Sequence, residues 1–399
     1  MPNVENLITE ISKSIDEQGH DWRASVTSLS HYDVPDLQKM LGYTPSGDEL
    51  TEDQRHAITD ARDSHPSGSV SQIDWRAVAG KNYVMPVREQ GFCGSCVAFA
   101  VTAAMESRAR IIKQLSVDAP NGATLPQLSP AQLFYCGLDG AAKCLRGWGV
   151  TEALTVAANT GVVPESCFPY PDNPFFQNAC DDCDDWESQV TVLSDDFVEL
   201  KDPATMKNWI AETGPMIAVF TVYLDLYHYG ADGGVYRPQD QWWNIKMGQH
   251  CVEVIGYDDD KQAWLAKNSW GTGWGDAGFF WIGYNECGFD ANMWGVKDFK
   301  TIYKDSNANS SQNDDTKDDV TMHEVPSGLS ENQANLVKEA LHELLLDKDV
   351  FVNVIQNVEV ELKSLLESKG ATEEDLHDIM AYFAGVSASL DDGSHVGNW

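Results

Sequence analysis

Cys96 stands directly after Gly94-Ser95 and directly before an apolar, helix-forming run from Val97 to Lys113. A cysteine on the first helical turn meets unpaired backbone N–H groups and the positive end of the helix dipole, which favour thiolate over thiol. Such a sulfur is a nucleophile once a base accompanies it. Two later stretches offer partners. Gly248-Gln249-His250-Cys251-Val252-Glu253-Val254-Ile255-Gly256-Tyr257 reads as a buried strand with a histidine at its entrance. Trp264-Leu265-Ala266-Lys267-Asn268-Ser269-Trp270-Gly271 reads as a second strand ending in a Gly/Trp-rich turn.

Taken with Gln90-Gly91-Phe92-Cys93-Gly94-Ser95-Cys96, these segments resemble the papain-like, cathepsin-type cysteine proteases with a propeptide still attached. Val97 stands where that signature has Trp or Tyr, and His250 and Asn268 lie 154 and 172 positions beyond Cys96, slightly farther than usual. The resemblance implies an α+β fold of two lobes, a helical lobe carrying Cys96 and a β-barrel-like lobe carrying His250 and Asn268. It implies that Cys96 attacks, His250 exchanges the proton and Asn268 orients the imidazole. Trp270 would shield that bond, and Gln90 would donate its amide to the oxyanion. Gly147 and Trp148 fall in the segment whose backbone pairs with substrate, although Arg146 replaces a glycine there. Trp148, Val219, Cys251 and Asn292 would surround the main specificity pocket, for which an apolar or aromatic side chain is expected. No paired histidines follow Pro171, where cathepsin B carries its occluding loop, so endopeptidase activity is favoured over removal of C-terminal dipeptides.

The elements that must position these residues follow from periodicity. Leu7, Ile11 and Ile15 share one face of a short helix, and Val34, Leu37, Met40 and Leu41 have helical spacing within Tyr32–Gly42. The block from Trp22-Arg23-Ala24 to Leu41-Gly42 is similar to the short propeptide of cathepsin B-like enzymes. By that resemblance it runs through the cleft in reverse and blocks it. Residues 59–72 are polar and expected to be a linker where processing is easy, and Ile73-Asp74-Trp75-Arg76 resembles the start of a mature enzyme. Leu128-Ser129-Pro130 is a capped helix start, and Gly214-Pro215 introduces a buried strand. The expected organisation is a propeptide over 1–70, a catalytic domain over 71–303, a disordered acidic linker over 304–328 and a helical extension over 329–399. The family pattern says nothing about that last unit.

The nine cysteines suit disulfides plus at least one free thiol. The resemblance implies Cys93–Cys144, Cys136 with either Cys180 or Cys183, and Cys167 with the other. Cys251 is expected to be free and buried, since the bridge that would use Cys287 needs a cysteine just before His250. Three bridges point to an oxidising lumen, secreted or lysosome/vacuole-like, although Met1–Gly19 has no signal-peptide hydrophobic region. Net charge of −35 disfavours nucleic acid and anionic membrane as partners, and no apolar run reaches the length of a membrane span. The expected partners are peptide substrates, the chain's own propeptide and cystatin-like inhibitors. A monomer is expected, with neither cofactor nor metal. Two other classes compete. One is a catalytically degenerate homologue that only binds. The other is a redox or metal protein built on the C-x-x-C pairs 93/96 and 180/183.

Overall fold

The computed structural model describes residues 4–304 except 63, 120–124, 138–143, 146, 172–173, 175–179, 181–182 and 232–233. The described residues belong to one compact unit within Met1–Ser311. Apart from Lys304, the expected acidic linker and helical extension lie outside the described residues.

Three helices open the chain: α1 (Val4–Gln18), α2 (Val34–Gln38) and α3 (Glu52–Asp60). Ile11 and Ile15 form the buried stripe of α1, as their spacing of four requires. The helix expected within Tyr32–Gly42 is shorter than its apolar spacing suggests. Asp33 caps α2 through the Asp36 N–H, but Lys39 ends it. Met40, Leu41 and Gly42 continue past the helix end and present their backbone to the protein below. α3 was not legible from apolar spacing, and a capping box between Thr51 and Gln54 starts it.

After β1 (Gln72–Asp74) come the helices of one lobe: α4 (Cys96–Ile112), α5 (Pro130–Gly137) and α6 (Val150–Asn159). Ser129 Oγ accepts the Gln132 N–H at 2.9 Å, the cap expected at the start of α5. Fifteen of the seventeen residues of α4 are buried, so this helix is the central post of its lobe rather than an amphipathic surface helix.

The second lobe follows β2 (Val192–Leu193) and β3 (Val198–Leu200), with α7 (Pro203–Glu212), β4 (Met216–Tyr223), β5 (Val235–Tyr236), β6 (Lys246–Asp258), β7 (Ala263–Lys267), β8 (Phe279–Gly283), β9 (Met293–Gly295) and β10 (Phe299–Thr301). Its sheet runs β3-β9-β4-β6-β7-β8-β5, with β1 also on β6 and a separate β2/β10 pair. All pairs are antiparallel except β5 with β8. The long central strand β6 sets Val219 opposite Cys251 and Glu253 opposite Lys267.

Two apolar clusters form the core among the described residues. One, centred on α4, contains Cys96, Val97, Trp148, Val219, Cys251 and Tyr43. The other joins the sheet to Ile11, Ile15, Trp22, Leu29, Leu37 and Met40 of the N-terminal segment. That segment therefore shares a core with the sheet lobe. Trp22 is 1 % exposed and stacks beside Tyr229 and Tyr236. Residues 59–72 are not a free tether either. Arg62 and His65 bond the buried Asp290, and Lys207 donates to the Pro66 carbonyl at 2.7 Å.

Candidate active site

Cys96 is the first residue of α4, after an N-cap, Ser95, that makes no side-chain capping bond. The Ser95 hydroxyl instead meets the Tyr170 hydroxyl at 2.7 Å. The turn ahead of it is pinned by the Cys93–Cys144 disulfide and by the Gly94 N–H on the Cys144 carbonyl at 2.8 Å. The remaining bridges are Cys136–Cys180 and Cys167–Cys183, which closes the alternatives left by the sequence; Cys96, Cys251 and Cys287 are free and buried. Neither C-x-x-C forms a dithiol: Cys93 is bridged to Cys144 while Cys96 stays free, and Cys180 and Cys183 go to different partners.

On the opposite lobe, His250 of β6 donates from Nε2 to Asn268 Oδ1 at 2.8 Å. Its other nitrogen, Nδ1, has no protein partner. The imidazole stacks on Trp270 with centroids 4.6 Å apart, and Trp270 in turn stacks on Tyr227. These rings flank the imidazole, and His250, Asn268 and Trp270 are all buried. The residue after His250 closes the gap between lobes, because the Cys251 backbone N–H points at Cys96 Sγ.

Gln90 is fully buried. Its Nε2 donates to the Cys93 carbonyl at 2.7 Å and to the Met40 carbonyl at 2.9 Å, while its Oε1 accepts from Ser269 Oγ at 2.6 Å. A carbonyl of the N-terminal segment therefore sits on the amide expected to receive an oxyanion. Ser269 was not anticipated from sequence; lying between Asn268 and Trp270, it carries no signal of its own.

The N-terminal segment runs through the groove between the lobes. The Trp148 N–H donates to the Gly42 carbonyl at 2.7 Å, the Thr44 N–H to the Trp148 carbonyl at 3.1 Å, and the Tyr43 N–H to the Gln249 carbonyl at 3.4 Å. Tyr43 and Trp148 pair in parallel. Glycine is required on both sides of this contact. A Cβ on Gly42 would overlap the Gly94 carbonyl, and one on Gly147, whose φ is +69°, would overlap the Gly42 carbonyl. Arg146 lies outside the described residues.

Deeper in the groove, Arg55 of α3 is 0 % exposed. Its guanidinium bonds Asn292 Oδ1 and, at 2.9 Å, the Tyr43 hydroxyl, and lies over the Tyr43 and Trp294 rings. Tyr43 belongs to the same buried cluster as Trp148, Val219 and Cys251. The structure thus brings the expected pocket residues together around two side chains of the N-terminal segment. Arg55→Ala strips partners from Asn292 and Tyr43, a loss of about 2 kcal/mol. Alkylation of Cys96 in the intact chain should rise roughly thirtyfold in that variant; an unchanged rate would show that Arg55 does not hold the segment down.

Burial governs the electrostatics. It pushes the Cys96 thiol up to about 11, against the Gly42 and Cys251 N–H groups that pull it down. Burial likewise holds His250 down to about 4, although the Asn268 bond works the other way. The sequence predicts a thiolate at this helix start. In the intact chain both groups are buried, and burial favours the neutral form of each.

Residues 69–297 match the papain family of cysteine proteases. The chain is 28 % identical to Cysteine proteinase 3 of Entamoeba histolytica over 258 residues, covering 63 % of this chain and 73 % of that one. It is 30 % identical to Pro-cathepsin H of Bos taurus over 226 residues, covering 55 % and 62 %, and 32 % identical to Cathepsin B-like CP3 of Giardia intestinalis over 219, covering 52 % and 68 %. Among solved structures, proCathepsin B S9 from Trypanosoma congolense superposes with a TM-score of 0.56 at 21 % identity, covering 74 % of this chain and 98 % of that one. A digestive procathepsin L2 proteinase of Tenebrio molitor gives 0.55 at 25 %, covering 73 % and 89 %. With the two-lobed α+β fold and the match over more than half its length, the chain belongs to the papain family of cysteine proteases and is a cysteine-type peptidase.

Proposed function

We propose that the chain is a cysteine endopeptidase made as an autoinhibited zymogen, with residues 1–70 as the inhibitory prosegment and 71–303 as the enzyme. The reading is carried by one observation: His250 commits Nε2 to Asn268 at 2.8 Å and keeps Nδ1 without a partner, on the strand whose next N–H reaches Cys96 Sγ. Once the prosegment leaves, Nδ1 takes the thiol proton and the thiolate adds to the scissile carbonyl. Gln90 Nε2, freed from Met40, and the Cys96 N–H receive the oxyanion. The amine departs with the proton from Nδ1, leaving a thioester. Water then attacks the acyl carbon, giving its proton to Nδ1, and the acid product releases Cys96. Asn268 keeps the imidazole in the tautomer this sequence needs, and Trp270 keeps the Asn268 bond dry.

An apolar or aromatic side chain in the main pocket is supported by the clustering of Tyr43 with Trp148, Val219 and Cys251. Three disulfides support maturation in an oxidising lumen, secreted or lysosome-like. A homologue that only binds would lack one of the four reacting or orienting groups, whereas Cys96, His250, Asn268 and Gln90 are all present. An epoxide inhibitor of cysteine proteases should label Cys96 alone in the processed chain and leave the intact chain unlabelled. His250→Ala should lower kcat/KM by at least about a thousandfold. Labelling elsewhere, or full activity in that variant, would remove the proposal.

A further inference from the structure

The polar stretch after α3 is bonded to the sheet lobe at a place remote from the reacting pair. Arg62 Nη1 donates to Asp290 Oδ1 at 3.1 Å and to Asn285 Oδ1 at 2.8 Å, and its Nη2 donates to the Asp290 carbonyl at 3.3 Å. His65 Nε2 meets Asp290 Oδ2 at 2.9 Å. The His65 ring stacks on Tyr284 with centroids 3.9 Å apart and makes an edge contact with Trp264. Farther along, Asn208 Oδ1 accepts the Ser69 N–H at 2.7 Å, and the Tyr257 hydroxyl donates to the Val70 carbonyl at 2.8 Å. Trp264 lies opposite Tyr257 of β6, seven residues from His250 and so about 20 Å away along the strand. Trp264 and Tyr284 belong to the sheet cluster, whereas Cys96 and the pocket residues Trp148, Val219 and Cys251 belong to the other.

We propose that Asp290, Tyr284 and Trp264 form a second peptide-binding site, separate from the groove, that takes an arginine and a histidine three residues apart, and that its occupant after processing is the cut tail of the chain's own prosegment. The proposal rests on the reading of residues 1–70 as a removable prosegment. Asp290 is fully buried. Two donors to its Oδ2, Trp264 Nε1 and the Asn285 N–H, both at 3.0 Å, belong to the enzyme and stay. The Tyr284 hydroxyl donates to Asp259 Oδ1 at 2.8 Å, which fixes the stacking ring from the same side. What leaves with the tail is the Arg62 bond to Oδ1 and the His65 bond to Oδ2. An aligned carboxylate beside two aromatic rings remains, and it selects cationic and planar groups. A guanidinium fork reaches the carboxylate, the Asp290 carbonyl and the Asn285 amide together, which the point charge of a lysine does not. A cut near residue 70 breaks none of these bonds. The severed tail therefore stays docked, and it keeps the rest of the prosegment at high effective concentration over the groove.

The test uses the full-length chain after its own processing, freed of the prosegment and with Cys96 blocked by an epoxide, together with a fluorescein-labelled peptide of residues 61–70. Fluorescence anisotropy should show saturable binding. Arg62→Ala or His65→Ala in the peptide, and Asp290→Asn in the chain, should each weaken it at least about tenfold. Arg62→Lys in the peptide should weaken it by a smaller factor. The peptide variants leave the chain untouched, so they read the site whatever Asp290→Asn does to folding. With Cys96 left unblocked, saturating peptide should leave kcat and KM for a fluorogenic dipeptide unchanged, because the groove stays open. No binding, equal binding of the wild-type and both alanine peptides, or competitive inhibition of dipeptide cleavage overturns the proposal. A processed chain that binds the peptide as expected yet cleaves no dipeptide leaves this site standing and removes the protease reading instead.

Discussion

Cutting the chain near residue 70 and removing the N-terminal piece is expected to raise the alkylation rate of Cys96 at pH 7 by about a thousandfold or more. The magnitude comes from ionisation. With the thiol pushed up to about 11 by burial, only about one sulfur in ten thousand is thiolate at pH 7. The Gly42 backbone lies over the Gly94 peptide and sends its N–H to the sulfur, so its departure lets water and the His250 imidazole reach Sγ. Helix-start cysteines paired with histidine titrate well below 7, which restores nearly all the missing thiolate. Rates of iodoacetamide modification across pH, before and after cleavage, measure both quantities. The intact chain should show a single rise toward pH 11, and the processed chain a plateau reached below neutrality. Superimposable profiles would mean that the segment does not govern the thiol.

The second large effect is acid release of the same segment. His250 is held down to about 4 by burial, and so is His228, whose Nδ1 meets Ser30 Oγ at 3.0 Å. Both return toward 6.5 when residues 25–44 leave, so protonation favours the released state. The sign follows: docking is at full strength above pH 6.5 and is lost as pH falls through 6.5 toward 4. The limit per histidine is about 3 kcal/mol, or two orders of magnitude in the docking constant. Asp290 responds differently. Burial raises its carboxyl, but His65, Trp264 and the Asn285 N–H outweigh burial and hold it below the usual range. The Arg62 and His65 anchor thus survives until pH falls below the ordinary carboxylate range. At pH 4.5, hydrogen exchange should appear first in residues 22–44 and later in 60–66. The reverse order, or exchange independent of pH between 7 and 4.5, would show that the buried histidines do not drive release.

Much of this site was legible in the residues. Cys96 and Asn268 sit at element boundaries, the start of α4 and the residue after β7, where local signals are strong; Gln90 lies in the loop before α4, and His250, expected at a strand entrance, lies inside β6, which begins earlier at Lys246. The Ser129 cap of α5 was readable for the same reason. The length of α2 was not, because the apolar spacing of Met40 and Leu41 reflects burial in the groove rather than helix. Arg55 was invisible too, since a charged residue on a polar helix reads as surface until another element covers it.

By itself the sequence determined the cysteine-peptidase class, because the residues proposed as nucleophile, base and orienting amide are set by residue type and by local turns and strands. Tertiary structure decided everything that depends on distant segments meeting: the choice between Cys180 and Cys183, the Met40 carbonyl on Gln90, and the pairing of Glu253 with Lys267 across β6 and β7. It also decided the charge state of the reacting pair. A helix start favours thiolate only while water can reach it, and whether water does so depends on a segment more than fifty residues away along the chain.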